Sequence, residues 1–161
     1  MPTLYVVATP IGNLGDMSPR AIETLRSVQL IAAEDTRVTM KLLNAFDIST
    51  PLTSCHEHNE RSKAAQIAER MLAENIDVAV TTDAGTPCIS DPGSVLVREA
   101  AERGIPVAAV SGPTAMASAL SVSGMDISEF TFYGFLPRQK NELREKLTDM
   151  ARHSKIAVVH E

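Results

Sequence analysis

The sequence lacks tryptophan and has only six other aromatic residues among 161, so its core must be built from aliphatic side chains. No stretch approaches the ~20 apolar residues of a membrane-spanning helix, and the first residues form no cleavable leader. The two cysteines, Cys55 and Cys88, have no metal-binding spacing, and we expect them to be reduced thiols. These absences predict a globular cytoplasmic protein with no membrane association.

Several common catalytic motifs are also missing. The chain contains no Gly-x-Ser-x-Gly, no phosphate-binding P-loop and no Cys-x-x-Cys, and its first loop lacks the Gly-x-Gly-x-x-Gly pattern of nicotinamide enzymes. The run His56-Glu57-His58 lacks the i,i+4 spacing of a helical zinc motif, so we expect no metal site.

Positive charge is scarce and unevenly distributed. The net charge is −5, and residues 138–155 carry six Lys or Arg against three acids, whereas residues 1–137 carry nine bases and sixteen acids. An acidic chain disfavours broad, nonspecific nucleic-acid binding. On charge alone, the basic segment is better explained as a solvated helix face than as an RNA contact.

The order of elements predicts an α/β fold. Short apolar runs typical of buried parallel strands alternate with amphipathic helical patterns, which indicates a parallel sheet with right-handed crossovers. The runs are 4–8, 30–33, 77–81, 107–110, 130–134 and 156–159. We expect residues 1–111 to form an N-terminal α/β domain. Residues 112–161 would be the incomplete start of a second α/β domain, and hence part of a truncated chain.

The most informative segment is the loop from Thr82 to Gly93, which follows a buried strand and precedes a helix. Ligands of open α/β sheets bind at the carboxyl ends of strands. The loop is too apolar and too poor in Lys for a phosphate cradle, and it suits a ligand with amine, carboxylate and adenine ends. Asp83 could accept a hydrogen bond from a ligand amine or ribose hydroxyl, or could simply hold an Asx turn.

Three other polar segments are candidates for the site, and the first two of them follow predicted strands. Ser111–Ala115 opens a helix whose free N–H groups could bind a carboxylate, although a plain turn explains it equally well. Glu34–Arg37 suits substrate binding, with Asp35 as helix N-cap in the alternative interpretation. His56–Glu60 could contact substrate or form a plain loop in which Asn59 caps the next helix.

Together these residues resemble the small-subunit ribosomal RNA methyltransferases of the tetrapyrrole methylase superfamily. Six ordered motifs carry the resemblance: 9–16 (TPIGNLGD), 33–37 (AEDTR), 54–60 (SCHEHNE), 83–93 (DAGTPCISDPG), 111–115 (SGPTA) and 134–138 (GFLPR). The resemblance implies methyl transfer from S-adenosylmethionine to a cytidine ribose 2′-hydroxyl of small-subunit (16S) rRNA. It also implies a tetrapyrrole-methylase-like fold of two α/β domains, the methyl donor in the cleft between them, and a homodimer.

The resemblance also assigns residues to the site. Those implied at the donor are Pro10, Ile11, Gly12, Asp83, Ala84, Gly85, Ile89, Thr114 and Ala115. Those implied on the RNA side are Arg37, His56 and His58, with Arg138 and Lys140 available for phosphate contacts.

A ribose hydroxyl is a weak nucleophile, so the reaction needs a base or a hydrogen-bond acceptor. Asp35, His56, Glu57 and Glu60 are the candidates, and we expect Asp35 or Glu57 to orient or deprotonate the hydroxyl. Two alternatives remain: a methylase of a small molecule such as a tetrapyrrole, or a non-catalytic ligand-binding fragment. The Glu34–Arg37 and His56–Glu60 motifs favour RNA over a tetrapyrrole.

Overall fold

A computed structural model describes residues 1–160, and the chain divides into two compact units, Met1–Thr114 and Ala115–Glu161. The first unit contains the strands β1 Leu4–Val7, β2 Leu30–Ala33, β3 Leu52–Ser54, β4 Val78–Thr81 and β5 Val107–Val110. Its helices are α1 Pro19–Ser27, α2 Thr36–Ala45, α3 Glu60–Glu74 and α4 Ser94–Glu102, with a single 3-10 turn at Leu14–Asp16.

The five strands form one parallel sheet in the order β3-β2-β4-β1-β5. The parallel α/β sheet predicted from the sequence is therefore confirmed. The carboxyl ends of all five strands lie at one edge, because parallel strands end on the same side. The loops that follow β2, β4 and β1 are thereby neighbours in space, although they are far apart in sequence.

The sheet is covered on both faces by aliphatic side chains. Alternate residues of β4 point to opposite faces: Val78 and Val80 join one buried cluster, whereas Ala79 joins the other. The first cluster includes side chains of α3 and α4, and the second includes side chains of α1 and α2. Each helix pair therefore closes one face, which leaves the polar loops at the strand ends to form a site.

The starts of α1 and α3 differ in how their N-cap side chains are used. The hydroxyl of Ser18 accepts a hydrogen bond from Ala21 N at 3.1 Å, and Pro19 occupies the first position of α1. Asn59 occupies the N-cap position of α3 but makes no side-chain capping bond. Its carboxamide instead accepts a hydrogen bond from His56 N and donates one to Ser54 Oγ.

Strand β3 is an element that the sequence pattern did not indicate. Its three residues include a single large apolar side chain, Leu52, and all three are only partly buried because the strand lies at the sheet edge. Pairing with β2 creates it: Cys55 N donates to Ala33 O at 2.8 Å, and Ile31 pairs with Leu52. A three-residue run without alternation carries too weak a local signal to be predicted.

The second unit contains α5 Ala115–Val122, β6 Thr131–Phe135, α6 Lys140–His153 and β7 Ala157–His160. Strands β6 and β7 pair in parallel, with a register shift between Phe132 and Gly134. That this unit is the start of a larger second domain stays a prediction. Within residues 1–160, no helix is both long and apolar enough to cross a membrane.

Candidate functional site

The loop that follows β4 is joined directly to the loop that follows β1. Thr9 N donates to Gly85 O at 2.9 Å and Gly85 N donates to Thr9 O at 3.1 Å, which forms an isolated antiparallel bridge. The buried Thr9 hydroxyl also donates to Thr82 O at 3.1 Å. The first loop and the loop containing Asp83 are therefore held together at the carboxyl edge of the sheet.

Gly85 lies where no side chain would fit easily. Its φ is +88°, and a Cβ at this position would lie 3.3 Å from Ile11 Cγ2 and 3.7 Å from Pro113 O. The Thr86 hydroxyl donates to the same Pro113 oxygen at 3.2 Å. The structure thus brings three of the predicted donor segments together, namely the first loop, the 83–85 turn and the turn after β5.

The other residues predicted at the donor site take no part in these hydrogen bonds. Ala84 and Ile89 are exposed in the loop after β4. Thr114 is the last residue of the first unit, whereas Ala115 begins α5 in the second unit. The assignment of these residues to a donor site stays a prediction.

A second set of hydrogen bonds joins the end of β4 to the end of β2. Glu34 Oε2 accepts from the Thr82 hydroxyl at 2.6 Å and from Asp83 N at 3.2 Å. In return, Asp83 Oδ1 accepts from Asp35 N at 3.2 Å. The predicted RNA-side segment and the predicted donor loop are therefore in direct contact through their own polar groups.

The two carboxyl groups at this contact differ in their acidity. Hydrogen bonds from the Arg37 side chain, followed by the Arg37 backbone N–H, lower the pKa of Asp35 to about 2. Partial burial of the carboxyl group, followed by the negative charge of Glu34, raises the pKa of Asp83. Asp35 is thus a weak base with an N-cap role, whereas Asp83 is the better proton acceptor of the pair.

An open cavity of about 310 Å³ lies beside Asp83. Its lining comes from the first loop, from the first turns of α2 and from the end of β4: Thr9, Pro10, Gly12, Asn13, Leu14, Val38, Thr39, Lys41, Leu42, Thr82 and Asp83. Thr39 is 2% exposed, and its hydroxyl oxygen has no hydrogen-bond partner within residues 1–160. The cavity therefore combines aliphatic walls with a carboxylate and one exposed ammonium group, while the Thr39 hydroxyl is buried behind its wall.

The His56–Glu60 segment begins one strand away, since Ser54 of β3 pairs with Ala33 of β2. Glu57 and His58 are exposed, and the ring of His58 contacts that of His56 edge-on at 6.0 Å between centroids. Nδ1 of His56 is buried and has no hydrogen-bond partner in the described part of the chain. Glu57 and His58 are available at the site edge, but within residues 1–160 no hydrogen bond or ion pair joins residues 56–58 to Asp83.

Glu60 has a different position from the one that the motif predicts. It is 8% exposed, and its Oε1 accepts hydrogen bonds from Gly93 N at 2.6 Å and Val95 N at 2.9 Å. Both lone-pair directions of that oxygen are engaged inside the fold. This carboxylate therefore holds the start of α4, a position that does not favour Glu60 as the base for the substrate.

The two predicted phosphate contacts belong to the second unit. Arg138 and Lys140 are exposed, Lys140 as the first residue of α6. Sequence reasoning missed Thr9, Thr39 and Lys41, whose roles at the cavity depend on the packing of α2 against the first loop. Within residues 1–160, no group of three His, Cys, Asp or Glu side chains is arranged to hold a metal ion.

Known proteins resemble the chain in both sequence and fold. It is 50% identical over 159 residues to "Ribosomal RNA small subunit methyltransferase I" of Xylella fastidiosa, covering 99% of this chain and 58% of that protein. The identically named protein of Vibrio cholerae is 45% identical over 160 residues, covering 99% of this chain and 55% of that protein. The Bacillus subtilis protein of that name is 45% identical over 161 residues, covering 100% of this chain and 55% of that protein. The chain thus spans little more than half the length of these curated relatives.

Two solved structures share the fold at low sequence identity. Diphthine synthase superposes with a TM-score of 0.71 at 12% identity, covering 99% of this chain and 64% of that one. Uroporphyrin-III-C-methyltransferase from Thermus thermophilus superposes with a TM-score of 0.62 at 18% identity, covering 92% of this chain and 74% of that one.

The sequence comparison confirms the predicted resemblance to small-subunit ribosomal RNA methyltransferases, and the structural comparison confirms the predicted fold class. The family model described as tetrapyrrole (corrin/porphyrin) methylases matches residues 3–161. The chain belongs to the tetrapyrrole methylase family.

Proposed function

We propose that this chain is part of an S-adenosylmethionine-dependent methyltransferase that modifies a cytidine ribose 2′-hydroxyl of small-subunit rRNA. The proposal rests on relatives of 45–50% identity that are named for small-subunit rRNA methylation. The observation that carries it is the contact between Asp83 and Asp35, because it joins the donor-side loop to the RNA-side segment. A substrate hydroxyl and a methyl donor must meet at such a junction.

The residues around Gly85 fit the methyl donor. A left-handed glycine packed against Ile11 allows the backbone to approach a ligand closely, and an exposed Asp83 carboxylate is suited to an amine or hydroxyl. When bound, the donor supplies a methyl group on a sulfonium that already carries a good leaving group. Pro10, Gly12 and Ile89 would line the rest of its site, with Thr114 and Ala115 as the further predicted contacts.

The cavity beside Asp83 favours RNA over a tetrapyrrole as the substrate. Its volume of about 310 Å³ lies at the lower end of the range of about 300–1,000 Å³ that small-molecule sites span. Lys41 adds a positive charge suited to a neighbouring phosphate.

Two carboxylates of the chain are given different roles toward the hydroxyl, one in orienting it and one in removing its proton. Asp35 has too low a pKa for efficient proton removal, so we assign it the orientation of the hydroxyl as a hydrogen-bond acceptor. Glu57 is exposed one strand away and is the candidate base. His56, His58 and Arg37 would contact the RNA close to these groups, while Arg138 and Lys140 would bind phosphates.

The first test is calorimetric titration of S-adenosylmethionine into this chain and into a version extended to the length of its relatives. We expect the extended chain to bind. Binding by neither chain would refute the methyltransferase proposal. Binding by the extended chain alone would mean that residues 1–161 do not form a complete donor site.

The second test is methylation of small ribosomal subunits by the extended protein, followed by nucleoside analysis of the rRNA. We expect 2′-O-methylcytidine, and a methyl group on a base would contradict the ribose assignment. Asp35→Ala combined with Glu57→Ala should abolish the product, so intact methylation by that double variant would exclude both residues.

We also propose that the protein acts in the cytoplasm as a homodimer. The homodimer is what the family resemblance implies, and the cytoplasmic location suits a chain whose relatives are named for ribosomal RNA methylation. Sedimentation of the extended protein at micromolar concentration tests the homodimer, and a monomer would contradict it.

A further inference from the structure

Glu60 is a buried carboxylate that the proposed mechanism does not use. It is the first residue of α3, and it is the only charged residue among the buried polar residues within 1–160. Burying a carboxylate lowers the stability of the fold unless the carboxylate is hydrogen-bonded. The hydrogen bonds that stabilise buried Glu60 come from the start of α4, since Gly93 N and Val95 N both donate to its Oε1.

These two N–H groups are among the free donors at the start of α4. The N-cap residue of that helix is Gly93, which has no side chain to accept them. A carboxylate at a helix N-terminus is also favoured by the helix dipole. Glu60 therefore supplies from α3 the capping group that α4 lacks in its own sequence.

The same bonds hold one end of the loop that carries the proposed donor contacts. Within this loop, Cys88 and Ser90 adopt positive φ angles of 70° and 64°, which non-glycine residues adopt only when the surroundings enforce them. The opposite end of the loop is held by the bridge between Thr9 and Gly85. The loop conformation is thus maintained from two ends, and Glu60 is responsible for one of them.

Glu60 is also connected to the turn that carries the candidate RNA contacts. Its own N–H donates to His56 O at 2.8 Å, and His56 N donates to Asn59 Oδ1 at 2.9 Å. The side chain of Glu60 thus reaches the donor loop while its backbone closes the histidine turn. A residue in this position can align the two halves of the site without touching either ligand.

We propose that Glu60 is a positioning residue that sets the conformation of the donor-binding loop. The inference deepens the proposed function and rests on it, because it assigns to the last residue of the His-Glu-His-Asn-Glu segment a role in donor affinity rather than in RNA contact.

The test compares three variants of the extended protein: Glu60→Ala, Glu60→Gln and, as a matched control, Glu69→Ala. Glu69 lies in the same helix and is exposed. Donor affinity is measured by calorimetry with S-adenosylmethionine, and the KM for small subunits is measured under saturating donor. Hydrogen exchange at the amides of Gly93 and Val95 reports on the loop independently of any ligand.

Loss of two charge-assisted hydrogen bonds should weaken donor affinity by about tenfold or more in Glu60→Ala. Glu60→Gln keeps an acceptor oxygen without the charge, so we expect a partial rescue, with affinity reduced by about threefold. Both variants should exchange the two amides faster, whereas their KM for small subunits and all properties of Glu69→Ala should match the wild type.

Wild-type donor affinity in a folded Glu60→Ala variant would overturn the proposal, as would a raised KM for small subunits with donor affinity unchanged. If Glu60→Ala does not fold, Glu60→Gln decides: affinity and exchange equal to the wild type overturn the proposal, and a threefold loss at unchanged melting temperature supports it. Failure of the wild type to bind the donor would instead refute the proposed function. In that case, faster amide exchange in Glu60→Gln would still support the role of Glu60 in holding the loop.

Discussion

Gly93 closes the loop after β4, and the structure indicates that no other residue fits there. Its φ is +119°, in the region that favours glycine. A methyl group at this position would lie 2.9 Å from Cys88 Sγ and 3.3 Å from Val80 Cγ2. Gly93→Ala therefore meets two separate penalties, one from the backbone conformation and one from packing.

The two penalties can be estimated separately. Holding alanine in a sparsely populated backbone region costs about 1–3 kcal/mol. Forcing an extra methyl group into a packed interior costs about 1–3 kcal/mol more. The expected loss in the free energy of unfolding is thus about 2–6 kcal/mol, a large fraction of the ~5–15 kcal/mol that stabilises a typical domain.

Urea denaturation of the full chain, followed by circular dichroism, measures this loss. Gly104→Ala is the matched control, because Gly104 has a φ of +73° but no neighbouring atom within 4 Å of an added Cβ. It should lose only the conformational part, about 1–2 kcal/mol.

A double-mutant cycle with Cys88→Ala then isolates the packing part. Without the Cys88 sulfur atom, Gly93→Ala should cost about 1–2 kcal/mol less than it does in the wild type. Equal costs for Gly93→Ala and Gly104→Ala, or an equal cost of Gly93→Ala in both backgrounds, would refute the reasoning.

Three further predictions concern acidity and capping. Burial, as the largest cause, raises the pKa values of both Cys55 and Cys88 to about 11, so both thiols should react with iodoacetamide far more slowly at pH 8 than a free cysteine, and rapid labelling of the native protein would contradict this. Arg37 lowers the pKa of Asp35 from 3.8 to about 2, so this pair stabilises the fold above about pH 4, and the contribution is lost as the pH falls towards 2. Arg37→Ala should therefore reduce the free energy of unfolding at pH 6 but not at pH 2. Urea titrations at both pH values measure this difference. Ser18→Ala removes the N-cap bond of α1 and should cost about 1 kcal/mol in the same assay, with Ser18→Asp close to the wild type.

Most of the fold could be predicted because its signals are local. Apolar runs such as Leu4–Val7 and Val78–Thr81 can be buried on both faces only in a covered parallel sheet, and Ser18 followed by Pro19 marks a helix start. Strand β3 escaped prediction because its three residues become a strand only by pairing with β2.

The candidate site was predictable in its segments but not in its contacts. Asp83 and Asp35 each follow a strand, so their meeting at one sheet edge follows from the parallel topology. Which groups they use is decided by side-chain packing. The pairing of Asp35 with Arg37, which lowers the pKa of Asp35 to about 2, depends on the exact start of α2.

The α/β class, the family and the segments of the candidate site follow from the sequence alone, because strand runs, caps and ordered motifs are properties of neighbouring residues. The hydrogen bonds of Glu60, the bridge between Thr9 and Gly85, and the cavity beside Asp83 emerge only in the folded molecule. Each of these depends on groups that are dozens of residues apart in the chain. Such groups meet only after the strands have paired and the helices have packed, so no local pattern can encode their contacts.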